Sequence, residues 1–397
     1  MGANNSQEDD APTMYGGMEL ENGAALGVYF DPTQGDSDGQ LIVTQRCLEN
    51  YNPWTADRRK RSGMDSETLT CSAFRAASTV GSIVAVGTEA GNMYVLDASS
   101  FDRLKSVNLG KKGNVGNAAA LAASEGVELS EAGANSSSSP RNEACRITSI
   151  MIMGEDFLIC GDSLGVTHFF KISSGDAFLT IDYKPPAMGN YENKVDEESD
   201  KAGLSCEISS FQCFKMRIKM DDPNLTHVVV IGHENGLICF YTLKGELVKT
   251  LSGGPTNLLA MAYARSMSTL ICLYVGNNVM WAWDIETGIP QVLEFNKELE
   301  NLNQQQSVAT CMRYDNIRDI LVTGSNDGSF FIRKLHRDPE TKSFASRLLR
   351  FGIPPAPMPT LTTLSYHSDG DRLYTGDITG CCRIVHNASG FSSHNKK

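Results

Sequence analysis

One short pattern recurs along this chain: an apolar run, a glycine, three mostly polar residues, a second glycine, and another apolar or aromatic run. Five instances are clear: Ser82 to Asp97, Phe157 to Ile172, His227 to Leu243, Asp319 to Leu335 and Arg372 to His386. Each reads as a β-hairpin, in which a buried strand turns through residues that permit positive φ and returns antiparallel. A sixth copy, Thr269 to Gly288, has a shorter turn and puts Tyr274 where the first glycine would fall. Upstream of each hairpin lies a run of the form apolar, Thr/Ser, small, apolar, as from Leu69, Ile147, Ile208, Val308 and Leu361. Several hairpins are followed by a weaker fourth run, from Leu104, Ala177 and Glu246. Four antiparallel strands per repeat describe the blade of a β-propeller. An ordinary β-sandwich has no reason to repeat Gly-x-x-x-Gly in register with an upstream strand. The expectation is an all-β chain folded as one propeller, with six units visible between residues 69 and 386.

The last unit ends near His386 with three strands and a polar tail, so its fourth strand must come from the N-terminal region. Gln40 to Arg46 is the best candidate, being apolar and β-branched, and residues 20 to 30 could add another strand. Such a strand closes the ring and removes exposed sheet edges. The propeller is expected over residues 20–388, between a tail at 1–19 and a polar tail at 389–397. Two insertions interrupt it. Residues 110–142 are rich in Gly, Ala, Asn and Ser, and residues 183–204 carry Pro185-Pro186 and the acidic run Asp196 to Glu198.

Trp283-Asp284, followed by Ile285, Glu286, Thr287 and Gly288, resembles the dipeptide and turn of the WD-repeat family, and Ser325-Asn326-Asp327-Gly328 resembles that family's turn between the second and third strands of a blade. The resemblance covers about residues 69 to 386. It implies seven blades, with residues 15 to 60 supplying a divergent first one; a six-bladed ring is the alternative. It also implies a non-catalytic protein-interaction scaffold, one subunit of a larger complex. The chain departs from the family in having one literal Trp-Asp and in lacking the Gly-His that often opens a repeat. Glu286 stands where ubiquitin-ligase substrate receptors of the family often carry arginine, so that role gains no support.

Charge narrows the choice of partner. With 35 Lys and Arg against 47 Asp and Glu, the formal net charge is -12, which disfavours general nucleic-acid binding because phosphate is repelled. No apolar run reaches the roughly 18 residues that cross a bilayer as a helix. The opening MGANNSQEDD lacks the basic and apolar regions of a secretory signal. Most of the 11 cysteines sit singly in apolar runs, as Cys160, Cys239 and Cys272 do, and no Cys-x-x-Cys occurs. These features fit reduced thiols in a cytoplasmic protein, with a nuclear or membrane-peripheral location as the alternatives, and call for no metal or other cofactor.

Three local motifs could carry specificity. Gly2 with Ser6 fits the N-myristoylation pattern, which would add a weak, reversible membrane contact. Arg58, Arg59, Lys60 and Arg61 form the one dense basic cluster, either a solvated loop or a nuclear signal or phosphate patch, with Trp54 nearby. That cluster carries the second functional reading, an RNA-associated or nuclear protein. Ser139 before Pro140 is a candidate phosphosite. A third reading, an enzyme with its site in the central channel, finds no Walker loop, zinc helix or nucleophile elbow to support it. Asp162, Glu234, Asp327 and Asp377 lie in equivalent hairpin turns and are expected to cap backbone groups.

Overall fold

A computed structural model of the chain describes residues 14–18, 23–30, 40–51, 58–62, 67–76, 81–109, 145–182, 206–218, 224–252, 254–276, 279–295, 307–341, 343–353, 358–366 and 372–386. Their strands form seven four-stranded antiparallel sheets. Blade 1 comprises Ala25–Phe30, Gln40–Thr44, Cys47–Tyr51 and Arg58–Ser62. Blade 2 begins at Leu69–Arg75, blade 3 at Ile147–Met153, blade 4 at Ile208–Met216, blade 5 at Leu258–Ala264 and blade 6 at Ala309–Asp315. Blade 7 comprises Leu361–Tyr366, Arg372–Asp377 and Cys382–His386, completed by Met14–Met18. The first strands of successive blades pack side by side around the centre, and blade 7 meets blade 1, so the ring is closed.

The second strands explain the continuous apolar runs. Ile83–Thr88, Thr269–Tyr274 and Ile320–Ser325 are buried at every residue. Each blade is covered on both faces by its neighbours, so both sides of a middle strand must be apolar. Alternate residues serve different cores. Val84 and Val86 pack with Leu41 and Val43 of blade 1, whereas Ile83 and Ala85 pack with Ile147 and Leu158 of blade 3. Fourth strands such as Ala177–Asp182 alternate covered with exposed residues, as a solvent-facing rim requires.

Ring closure differs from the expectation. Met14–Met18 is the strand that completes blade 7, pairing Met14 with Val385, Tyr15 with Ile384 and Met18 with Cys382. Gln40–Thr44, expected in that role, is instead the second strand of blade 1 and is buried throughout. The physical reason is position in the sheet: an unbroken apolar run belongs where both faces are covered, whereas an outermost strand needs only backbone pairing along one edge. The span 1–19 expected as a tail therefore contains a strand of the ring.

Every innermost strand has a register shift between its first and third residues: Ala25/Gly27, Leu69/Cys71, Ile147/Ser149, Ile208/Ser210, Leu258/Ala260, Ala309/Cys311 and Leu361/Thr363. In five of the seven blades the residue in the bulge is the Thr/Ser of the upstream motif, and in four of these it joins blades. The Thr70 hydroxyl donates to the Ile147 carbonyl of the next blade. Thr148 does the same to Ile208, Thr310 to Leu361 and Thr362 to Ala25, each at 2.6 Å. The last of these bonds fastens residues 337 positions apart. Where the bulge residue has no hydroxyl, or bonds within its own blade as Ser209 does to the Gly232 carbonyl, other groups take over. Gln212 Nε2 donates to the Met261 carbonyl at 2.9 Å, and the Tyr29 hydroxyl meets Ser72 Oγ at 2.9 Å.

The two repeated glycines have separate causes. Gly165, the second of its pair, has φ +84° and makes the turn. Gly161, the first, has no such φ; a Cβ there would lie 2.5 Å from Ile208 Cβ, the first residue of the next blade. Only the second glycine of the pair is thus a turn residue. Register also corrects blade 5: Ala260 pairs with Leu273 as Cys71 pairs with Gly87, so Leu273 holds the glycine position and Tyr274 stands one residue on. The next blade begins there with Ala309, whose small side chain leaves room for Leu273 in the same core.

Candidate functional site

Antiparallel order sends the turns after the first and third strands of each blade to one face of the disc. The turns after the second strands, and the links between blades, lie at the other. Leu109 and Cys145, and Asp182 and Cys206, the described residues flanking the insertions at 110–142 and 183–204, lie at the second face. Those insertions, Gly2, Trp54, Ser139 and the tail 389–397 lie outside the described residues.

The basic cluster falls on a strand and not in a solvated loop. Arg58–Ser62 is the outermost strand of blade 1, with Tyr51 paired to Arg58, Asn50 to Arg59, Glu49 to Lys60 and Leu48 to Arg61. Arg61 donates to the Phe101 carbonyl of blade 2, a bond across the junction. The run breaks the loop expectation because pairing with Cys47–Tyr51 at the sheet edge overrides the low strand propensity of consecutive cations.

On the second face, the acidic turn residues cap backbone groups in three of the four cases. Asp162 Oδ1 accepts the Leu164 and Val166 amides at 2.9 and 2.8 Å. Asp377 Oδ1 accepts the amides of Thr379 and Cys381, and Asp327 Oδ1 that of Ser329. Glu234 instead accepts the Asn257 side-chain amide at 3.3 Å. The four do not share one turn position: Asp162 and Asp377 end their strands opposite Ile147 and Leu361, while Glu234 and Asp327 lie further into their turns.

A feature missed from sequence is a polar latch at this face, made afresh in each of blades 2 to 6. The residue two before an innermost strand reaches the turn after the second strand. Cys145 Sγ donates to Asp162 Oδ2 at 2.8 Å, Ser307 Oγ to Asp327 Oδ1 at 3.2 Å, and Thr256 Oγ1 to the Val275 carbonyl at 2.7 Å. Glu67 accepts from Asn92 at 2.5 Å, and the Cys206 carbonyl meets His233 Nδ1 at 3.0 Å. Because the chemistry changes from blade to blade, no residue-level repeat could reveal it.

Asp162 also lies 3.7 Å from His168 Nε2, which brings one carboxylate, one imidazole and the Cys145 thiol together. Burial opposes ionisation of Asp162, but hydrogen bonds from His168, Cys145 and the Val166 amide outweigh it and hold the carboxyl below its usual range. Burial and the bond to Asp162 push the Cys145 thiol far up, so it is held protonated. This is the chemistry of a structural latch; a nucleophilic cysteine needs its thiolate.

The first face carries a cleft of about 460 Å³ between blades 5 and 6, whose lining includes Asp284, Glu286, Asp319, His336, Arg337 and Asp338. Asp284, of the Trp-Asp pair, accepts the Thr287 amide at 2.8 Å and is ion-paired with Arg337, whose Nη1 also donates to the Met267 carbonyl. Burial disfavours the Asp284 charge, yet the Thr287 amide and Arg337 outweigh it and lower the pKa. Asp319 Oδ1 accepts the hydroxyls of Ser266 and Tyr314. Trp283 is buried, and its indole N–H donates to the Tyr274 hydroxyl at 3.3 Å.

No protein-family model matches the chain, and no curated protein matches it in sequence. Among solved structures, a chain from the crystal structure of the mitotic checkpoint complex aligns with a TM-score of 0.62 and 10% identity, over 97% of this chain and 94% of that one. The computationally designed Ika8 protein aligns with a TM-score of 0.53 and 14% identity, over 93% of this chain and 98% of that one. Identities this low speak to fold alone. The class is a seven-bladed β-propeller. Among the described residues, no helix is long and apolar enough to cross a membrane.

Proposed function

We propose that this protein is a divergent WD-repeat propeller acting as a non-catalytic interaction scaffold, one subunit of a multiprotein assembly. The observation that carries this reading is a closed ring whose hydroxyl bonds and shared cores lock blade to blade, Thr362 to Ala25 included. A locked disc holds two faces of turns in constant relation, so several partners can be held at once without conformational cost. The polar groups that approach one another are engaged in the ring itself: Asp162 caps a turn, and Asp284 pairs with Arg337.

Affinity purification of the tagged protein from its native cell, after mild crosslinking and with mass spectrometry, tests the reading. The same proteins are expected to co-purify at reproducible stoichiometry. Recovery of the protein alone, with and without crosslinker, would count against a scaffold.

A further inference from the structure

We infer that the cleft between blades 5 and 6 is a docking site for a basic side chain, arginine or lysine, carried on a partner segment with apolar flanks. The inference rests on the scaffold reading and assigns it a surface. Four carboxylates line the cleft, Asp284, Glu286, Asp319 and Asp338, against the single guanidinium of Arg337; four negative charges less one positive leave three in excess among these groups. Arg337 is already committed to Asp284 and to the Met267 carbonyl. Among the described residues, Arg318 pairs with Asp315 at 2.8 Å and Lys334 bonds the Arg318 carbonyl, while Lys249, bonded to the carbonyls of Ile285 and Glu286, stands beside Asp284 and offsets part of that excess.

Volume and rim argue for a peptide over a bare ion. A cleft of about 460 Å³ far exceeds an ion and suits a long side chain with part of its backbone. The turn of blade 5 that bears Asp284 and Glu286 ends at Ile289, which is 67% exposed. The turn of blade 6 that leads to Asp319 carries Ile317, 84% exposed. Two isoleucines held in water on the turns that wall an acidic cleft are what an apolar-basic-apolar segment would cover, its cation meeting the carboxylates and its flanks meeting the rim. Blade pairing determines the location. The junction brings the turns of two blades together, and the Arg337–Asp284 pair fixes their separation.

The test uses the full chain and three pools of fluorescein-labelled nonapeptides, each with leucine two residues either side of a central Arg, Gln or Glu and degenerate elsewhere. Fluorescence anisotropy is expected to show the Arg pool binding about tenfold more tightly than the Gln pool, with the Glu pool weakest. The preference should shrink between about 0.05 M and 0.3 M salt, as screening of a partly exposed charge requires. Glu286→Gln with Asp319→Asn, which keeps acceptors for Ser266 and Tyr314, should remove the preference while the melting temperature stays near wild type. Ile317→Asp should weaken all three pools. Equal binding of the Arg and Glu pools, or an Arg preference that survives the double variant, overturns the proposal. So does a wild-type dimer in sedimentation that Ile317→Asp abolishes, since a second copy would then be the occupant. If the pools fail while partners still co-purify from cells, the cleft assignment falls and the scaffold stands; if no partners co-purify either, both fall.

Discussion

At the residue scale, the buried polar groups show how this ring holds chemistry that the sequence scatters. His233 is 1% exposed and directs Nδ1 at the Cys206 carbonyl. Burial lowers its pKa, and the hydrogen bond to Cys206 opposes that only in part. The folded value therefore lies below the ordinary one of about 6.5, so the unfolded chain takes up the proton first. The stabilisation is complete above that ordinary value and is lost as pH falls through it toward the folded value. Urea midpoints are expected to drop between about pH 7 and pH 5, and His233→Gln should flatten that drop. An unchanged pH dependence in the variant would show that other groups control this window. The lowered carboxyls of Asp162 and Asp284 act in a more acidic range, because their stabilisation is present above about pH 4 and disappears below it.

Cysteines follow the same logic. Cys160, Cys239 and Cys272 are buried, as their isolation in apolar runs suggests, and burial pushes the Cys71 and Cys311 thiols up to about 12. Arg333 is less legible. It is 2% exposed, with its guanidinium over the rings of Phe295 at 4.1 Å and Phe331 at 4.9 Å and donating to Thr323 Oγ1. An arginine in the third strand of a blade reads as a solvent-facing residue until blade 5 supplies Phe295 to cover it.

At the scale of the element, the repeated hairpin is a device for packing blade on blade. Replacing Gly161 with alanine forces a Cβ against Ile208, at a cost on the order of 1–3 kcal/mol from overpacking. Gly165→Ala should cost about 1–2 kcal/mol through its left-handed backbone. The two differ in remedy: shortening Ile208 to alanine should recover part of the first loss and none of the second, a coupling that a double-mutant cycle in urea would measure. Absence of coupling would mean that Gly161 is needed for its backbone alone. Blade 5 carries the natural form of this compensation, Leu273 facing a blade that opens with Ala309.

Hairpin register was only partly legible. The apolar runs locate the strands to within a residue or two, and the fourth strands Arg103–Asn108, Ala177–Asp182 and Leu247–Leu251 fall where the weaker runs lie. Counting from a shortened turn puts Tyr274 at the glycine position, because such a count cannot detect the bulge that shifts pairing at Leu258/Ala260. The basic run Arg58 to Arg61 likewise carries no strand signal of its own, and pairs because Cys47–Tyr51 offers it an edge.

At the scale of the whole molecule, closure depends on chain ends that are remote in sequence. Met14–Met18 pairs with Cys382–His386, and Thr362 bonds Ala25, so blade 7 is held to both the first strand of the chain and the first blade. Deleting residues 1–18 should leave the third strand of blade 7 as an open edge, lower the melting temperature and promote association through that edge. Calorimetry with light scattering would check this, and a truncated chain that melts like the full one and stays monomeric would show that Met14–Met18 is dispensable.

The chain's own pattern settled the kind of fold: repeated pairs of buried runs joined by glycine turns can bury both faces only when sheets are stacked in a ring. It also placed six of the seven blades, and it marked the threonines that later prove to join them. Folding in three dimensions settled the rest. Which strand closes blade 7, why the first glycine is bare and where an acidic cleft opens all depend on contacts between neighbouring blades. Such contacts join residues that no local pattern relates, because each core lies between two sheets and belongs to neither one alone.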